Sequence, residues 1–253
     1  MTFHVTADAY ARFMGRFSEP LAATFIDLLD PQPGQRALDV GCGPGIVTTH
    51  LVQRLGVDAV SAIDPSPSFV EAVQAQLPGI DARAGVAEHL PYADGTFDLT
   101  IAQLVVHFMR DPVGGLSEMA RVTRSGGVVA ASVWDHSTAG RGPLSTFWQA
   151  VQDLDPEAPD ESRLPGAREG HLAMLAEEAG LTEVEPSLLT VNVGFRSFEE
   201  WWQPFTLGVG PAGAYVGALD EAHIAALRAR CEQLLPPAPF ELAASAWCVR
   251  ARA

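Results

Sequence analysis

Lysine is missing altogether from this chain of 253 residues: all 16 basic residues are arginine. That absence removes Schiff-base chemistry, the phosphate-gripping P-loop and the tyrosine–lysine pair of many dehydrogenases, each of which needs a primary amine. Cysteine is scarce too. Cys42, Cys231 and Cys248 are an odd number, with no CxxC pair and no histidine at zinc-ligand spacing, so neither a disulfide framework nor a metal site is expected. Positive charge is short overall, with 31 acidic residues against 16 basic and a net charge of −15. Such a surface repels a polyanion, and nucleic acid is not an expected partner. Long apolar runs are also lacking. Stretches such as 127–134 fall well short of the roughly 20 residues that span a bilayer. The N-terminus MTFHVTADAY has no basic-then-apolar signal pattern, so the expectation is a cytoplasmic protein with no membrane partner. What is present, 47% hydrophobic and 19% charged residues, is the composition of a folded globular chain.

Tyr10, Phe13, Met14, Phe17, Leu21, Phe25 and Leu28 recur at three- and four-residue spacing, which predicts one long amphipathic helix ending at the break Asp30-Pro31-Gln32-Pro33-Gly34. Short apolar runs at 37–40, 59–63 and 80–84 alternate with helical patterns at 46–55 and 68–76, a βαβαβ half that implies a parallel sheet. A strand at 97–102, a helix opening at Asp111-Pro112 and closing at Gly126-Gly127, and a strand at 128–133 bring the parallel strands to five. The regularity lapses after Asp135. It resumes with a helix at 171–179 closed by Gly180, and a strand at 187–193. Residues 197–239, with Trp201, Trp202, Phe205 and a helix at 220–235, read as an insertion before a last strand at 240–249. The plan is a single α/β domain over 1–253, with a cap helix in 1–30, a core at 35–135, and cap insertions at 137–168 and 197–238.

The strongest chemical signal is Ala37-Leu-Asp-Val-Gly-Cys-Gly-Pro-Gly45, a buried strand entering a glycine-rich turn at the start of a helix. Gly41 and Gly43 let a ligand approach the backbone without a Cβ in the way, and the helix N-terminus offers unpaired N–H groups. Asp64 closes the second strand near the spacing of about 20 residues at which a carboxylate meets a ribose hydroxyl pair. Glycines alone can make a tight turn, but strand, turn, helix and strand-end acid together describe a nucleotide site.

The segments ALDVGCGPG, AIDPSPSFVEAV, GVAEHLPYADGTFDLTIAQLVVHFM and LSEMARVTRSGGVVAASVWD resemble, in order and spacing over roughly residues 35–135, the successive motifs of class I S-adenosylmethionine-dependent methyltransferases, particularly the ubiquinone/menaquinone-biosynthesis-like small-molecule group. The resemblance implies a Rossmann-like doubly wound seven-stranded sheet of order 3-2-1-4-5-7-6 with strand seven antiparallel. It also implies S-adenosyl-L-methionine as cofactor, across the carboxyl ends of strands one, two and four. By the same resemblance Asp39, Gly41 and Gly43 line the cofactor's methionine side, Asp64 binds the ribose, and Pro65 and Ser66 flank the adenine. Ala87 and Glu88 belong to the adenine loop, where Val86 replaces the family's aspartate, and Gln103 reaches the methionine part. The run from Tyr10 to Ser18 is similar to a segment whose helix closes over the cofactor. There Arg16 could pair with the methionine carboxylate, because a guanidinium suits a carboxylate, and Tyr10 is a candidate for facing substrate.

Methyl transfer from a sulfonium is an in-line displacement that alignment and exclusion of water can drive. If the acceptor must lose a proton, His107, after the fourth strand, is the first candidate base, with Asp135 to orient it and His136 beside it. Trp201 and Trp202, with Trp148, Phe205 and Tyr215, are candidates for lining the substrate pocket or for holding the cap to its domain. Cys42 reads as a packing residue rather than an activated thiol. The expected activity is methyl transfer to a small molecule that the sequence does not identify. Two alternatives are weighed against it. One is a cofactor-binding protein without catalysis, motivated by Val86. The other is a nicotinamide-dependent oxidoreductase, which shares the strand-turn-helix but lacks the third glycine spacing and the lysine.

Overall fold

In the computed structural model of the chain the described residues are 11–137, 141–158 and 160–253. Seven strands form one sheet: β1 Ala37–Val40, β2 Val60–Asp64, β3 Asp81–Ala84, β4 Phe97–Gln103, β5 Thr123–Trp134, β6 Thr182–Phe195 and β7 Phe240–Arg252. Their order is β3-β2-β1-β4-β5-β7-β6. The first five run parallel, with Leu38 opposite both Ser61 and Thr100, whereas β7 is antiparallel to both neighbours, Ala130 facing Arg250 and Leu189 facing Ala246. This is the expected order, including the reversed seventh strand.

The helices are α1 Arg16–Leu29, α2 Ile46–Leu55, α3 Pro67–Gln76 and α4 Pro112–Val122, then α5 Ser145–Leu154, α6 His171–Glu178, which packs beside α4, and, between β6 and β7, α7 Phe198–Trp202, α8 Gly210–Ala218 and α9 Glu221–Leu234, the last packing on α5. Every residue of β1 and β2 is buried, as a parallel sheet covered on both faces requires. One core lies between the sheet and α1, α2 and α3, around Phe25, Leu51 and Ile101; another lies on the opposite face around Leu90, Leu116 and Leu172. A third, among α5, α7, α8 and α9, gathers Trp134, Phe147, Trp201 and Phe205. Phe17, Leu21, Phe25 and Ile26 of α1 are buried, each contributing roughly 1.5–3 kcal/mol of transfer free energy.

Two boundaries depart from the sequence pattern. The N-terminal helix is not continuous: a wider turn occupies Ala11–Gly15 before α1 begins, and α1 ends at Asp30, in the left-handed region at φ 45°, whose N–H bonds Ile26 O at 2.9 Å. The helix expected to reach Gly126-Gly127 ends at Val122. Thr123 already opposes Phe97, and the register then shifts to place Val128 opposite Leu99. A Cβ on Gly127 would lie 2.9 Å from Asp98 O, so the glycines serve a tight strand irregularity instead of a helix cap. No helix among the described residues is long and apolar enough to cross a membrane.

One buried polar contact joins β1 to α2. Asp39 is only 1% exposed, and its Oδ2 accepts the Thr48 hydroxyl at 2.6 Å. Burial pushes the Asp39 carboxyl up from 3.8 to about 7, Thr48 pulls it down, and the charge of Asp64 pushes it up again. With the folded value above the unfolded one, the group's contribution to stability is fully present below pH 3.8 and is lost as pH rises toward about 7. Removing the hydroxyl strands a neutral acid at low pH and a charged one at high pH. Thr48→Val should therefore cost about 1 kcal/mol near about pH 5 and up to about 3 kcal/mol near about pH 8, measured by urea unfolding. Equal losses at the two pH values would show that Thr48 does not serve the Asp39 charge.

Candidate functional site

β1 runs directly into the glycine turn. The N–H groups of Gly41 and Cys42 both donate to Ile63 O on β2, at 2.7 and 3.0 Å. The two glycines do different work. At Gly41 (φ +70°) a Cβ would lie 2.5 and 2.6 Å from the two Val105 methyls, so glycine lets the turn press against the chain that follows β4. At Gly43 (φ +51°) a Cβ would meet no heavy atom within 4 Å, so this face of the turn is open to a ligand. Asp64 fixes that face. Its Oδ2 accepts the Gly43 N–H at 2.9 Å and its Oδ1 the Ser66 N–H at 2.8 Å. Burial raises the Asp64 pKa, and these two backbone bonds oppose the rise.

A cavity of about 340 Å³ opens beside this turn, at the carboxyl ends of β1, β2 and β4. Gly41, Pro65, Val86, Ala87, Val105 and Phe108 are among its walls, and the sheet order reverses between β1 and β4, where open α/β sheets bind ligands. Val86 and Phe108 are 46% and 44% exposed, so large apolar surface faces solvent at residues that line the cavity. Glu88 also borders it, but its carboxylate accepts the N–H groups of Arg110 and Asp111 at 2.8 and 3.3 Å, closing the loop after β4. A second cavity, of about 290 Å³ between Leu29, Gln35, Leu99 and Arg250, lies at the opposite end of the strands and contains none of the expected site residues.

The chain after β4 carries the remaining polar groups. Leu104 sits in the left-handed region at φ +61°, its N–H held by Ser132 O at 2.8 Å. Such a conformation costs a bulky residue about 1–3 kcal/mol and is concentrated at functional sites. Gln103 Nε2 donates to Ser18 O of α1 at 3.2 Å, while its Oε1 is buried without a partner among the described residues. Ser66, beyond its N–H bond to Asp64, shares its hydroxyl with Ser68 at 2.9 Å.

His107 lies in the short turn Val106–Phe108, 8% exposed, with Nδ1 unpartnered among the described residues. Its ring centroid is 3.9 Å from that of Phe108 and 6.1 Å from that of His136. Burial lowers its pKa to about 3, with His136 contributing, so the imidazole is neutral at physiological pH. Burial lowers the His136 pKa as well, opposed by Glu161, Asp135 and Asp160.

The expected Asp135–His107 pair does not form. Asp135 Oδ1 accepts the Ser137 N–H and hydroxyl at 3.1 and 2.7 Å, and Oδ2 accepts the Arg141 N–H at 3.2 Å. An aspartate leaving a strand finds the amide two residues on more readily than a side chain on the neighbouring strand. Arg16 is also engaged elsewhere: its guanidinium lies 3.2 Å from Glu200, bonds Gly194 O at 2.9 Å and stands 4.6 Å over the Phe195 ring. Trp201 and Trp202 are each 2% exposed and pack on Phe205, which stacks on Phe147 at 4.5 Å; they are core residues of the cap. Trp148 donates Nε1–H to the buried Glu161 at 2.7 Å. Tyr10 lies outside the described residues. Cys42 is buried, and burial raises its thiol pKa, as a packing role requires. Sequence reasoning missed Thr48 and the cavity residues Val105, Phe108 and Met109. The last three sit in the apolar run LVVHFM after the fourth strand, where apolar side chains look alike whether they pack inward or line a cavity.

Comparison with known proteins agrees with this geometry. Residues 38–131 match the methyltransferase domain family. An uncharacterized methyltransferase of Mycobacterium tuberculosis is 39% identical over 157 residues, covering 62% of this chain and 61% of the relative. A demethylmenaquinone methyltransferase of Renibacterium salmoninarum is 35% identical over 123 residues, covering 49% and 50%. The chain thus spans between half and three-fifths of these relatives' lengths. In fold it superposes on a SAM-dependent methyltransferase from Thermotoga maritima with a TM-score of 0.56 at 16% identity, over 97% of this chain and 98% of that one. The likeness to the methyltransferase domain family thus lies in residues 38–131, the stretch that carries the first five strands and the glycine turn.

Proposed function

We propose that this protein transfers a methyl group from S-adenosyl-L-methionine to a small molecule. The observation that carries the reading is the cavity beside Asp64 and the open face of Gly43. The residues present fit the cofactor. Pro65, Val86, Ala87, Val105 and Phe108 give an apolar slot for a planar base. Each Asp64 oxygen, having accepted one backbone N–H, keeps a lone pair for a ribose hydroxyl. The glycine turn and the unpartnered Gln103 Oε1 would face the amino-acid part. When bound, the cofactor supplies an electrophilic methyl on a sulfonium. The chain's part is to align the acceptor, exclude water and receive a proton where the acceptor sheds one. Neutral His107 is the candidate for the last task, with its pKa held at about 3 making it a weak acceptor in the ligand-free protein; Asp135 is engaged by Ser137 and Arg141, and the His136 ring stands 6.1 Å away. Arg16, held by Glu200, serves to fasten α1 to β6 and α7.

Calorimetric titration of cofactor-stripped protein should show binding of S-adenosylmethionine and S-adenosylhomocysteine, none of NADH, and loss of both sulfur nucleotides in Asp64→Ala. NADH binding in their place would sink the reading. Histidine-ring NMR should show His107 neutral from about pH 5 to about pH 8, since its folded value is held far below the unfolded one near 6.5. His107→Ala should lower turnover by about 10²-fold or more and leave the affinity for S-adenosylhomocysteine unchanged. An equal loss of both would make His107 a structural residue.

A further inference from the structure

Next to Phe108, which walls the cavity, lies a group of polar side chains with no positive charge among them. The His107 ring centroid is 3.9 Å from that of Phe108 and 6.1 Å from that of His136. Beside His136 the segment 160–167 folds back on the end of β5. The His136 N–H donates to Ala167 O at 3.0 Å, the Ala167 N–H to Leu164 O at 3.2 Å and the Leu164 N–H to Glu161 O at 3.1 Å. That fold places Glu161, 5% exposed, where its charge bears on the His136 ring together with those of Asp160 and Asp135. Glu161 accepts the Trp148 indole N–H at 2.7 Å. Asp160 accepts the Ser162 N–H and hydroxyl at 3.0 and 2.6 Å and the Gln152 amide at 2.7 Å, while Asp135 accepts Ser137 and the Arg141 backbone. All of these donors are neutral. Among the described residues no arginine side chain pairs with any of the three carboxylates, and there is no lysine anywhere in the chain. Burial lowers His107 to about 3 and lowers His136 as well, so neither imidazole supplies positive charge near neutrality.

A second observation points to a ligand. His107 is 8% exposed, and its Nδ1 has no partner among the described residues. A polar atom left unbonded in the interior, and carboxylates met there only by neutral donors, are both unfavourable, and a ligand bringing N–H groups and positive charge relieves both. We propose that the methyl acceptor is an amine, taken up beside His107 with its nitrogen toward the carboxylates of Glu161, Asp135 and Asp160. This rests on the cofactor reading above and names the acceptor class which that reading leaves open. The amine enters as the free base, its acid proton left in solvent. Its lone pair forms the C–N bond as the methyl C–S bond breaks, and the C–S electron pair stays on sulfur. Positive charge thereby passes from sulfur to nitrogen, where the three carboxylates favour it. The product departs as the N-methylammonium with its N–H protons kept, so no strong base is required, and the weakly basic His107 serves to accept an N–H and aim the lone pair. A phenolate or carboxylate acceptor would instead bring one more anion beside three. The Trp148 ring, bonded to Glu161, suits a methylated ammonium as well.

The test is made on the intact protein saturated with S-adenosylhomocysteine. Two probes of one shape are titrated and followed by ligand-observed NMR: phenyltrimethylammonium, which resembles a methylated product, and its uncharged carbon counterpart tert-butylbenzene. The cation should bind at least about tenfold more tightly. Glu161→Gln keeps an acceptor for the Trp148 indole and removes the charge. It should bring the two affinities to within about threefold of each other, while thermal unfolding and the affinity for S-adenosylhomocysteine stay as in the unaltered protein. The comparison of the two probes in the unaltered protein needs no variant and decides by itself. With S-adenosylmethionine in place of the product nucleotide, methyl transfer should reach the nitrogen of benzylamine and leave phenol and benzoate unchanged. Equal binding of the two probes, or methyl transfer to phenol or benzoate, would overturn the proposal while leaving the cofactor reading intact. Absence of S-adenosylhomocysteine binding in the unaltered protein would instead overturn the cofactor reading and this inference with it.

Discussion

The arrangement around the cavity depends on Asp64 accepting two backbone N–H groups, one from the glycine turn and one from the start of α3. These bonds tie the end of β2 to the loop leaving β1. Combined with the Gly41 and Cys42 bonds to Ile63, they hold the turn in a single shape in which Gly43 keeps an open face. A carboxylate engaged on both oxygens by rigid amides cannot swing away, so its remaining lone pairs keep one direction. The energetic cost is the burial of an acid, and the structure meets it with oriented dipoles instead of a counter-ion.

Beyond β4 the chain keeps a different kind of order. Leu104 occupies a backbone conformation that its side chain disfavours, Gln103 reaches across to α1, and His107 is buried without a partner for Nδ1. Each is unfavourable alone. Together they mark the place where the fold has been arranged for something other than its own stability. The register of β4 with β5 and the Leu104 N–H bond to Ser132 hold that place firmly.

The sheet and the glycine turn were legible because they rest on local rules: buried strands as unbroken apolar runs, glycines where backbone must come close, an acid at a strand end. The strand order came from resemblance, not from periodicity. What remained hidden depends on contacts between distant segments. Nothing local shows that Arg16 would meet Glu200 across more than 180 residues of chain, or that Asp135 would turn back on Ser137 and Arg141 and leave His107 Nδ1 without a partner among the described residues. The tryptophans of the insertion were read as possible pocket walls because aromatic side chains look alike in sequence whether they face a ligand or one another. Their mutual packing decides it. The helix boundary at Val122 was misplaced because Gly126-Gly127 signals a stop, and only strand pairing shows that the stop had already happened.

The cap's core has a further consequence. It is assembled from Phe13 near the N-terminus, Phe147 and Trp148 after β5, Trp201 and Phe205 after β6, and Phe240 at the start of β7. Four separated stretches of chain interlock in one aromatic cluster, so none can be exchanged for a foreign loop without leaving the others' rings facing a void. Recasting this cluster would require coordinated replacement of all its pieces, whereas the glycine turn and the Asp64 bonds that hold it could be inherited unchanged.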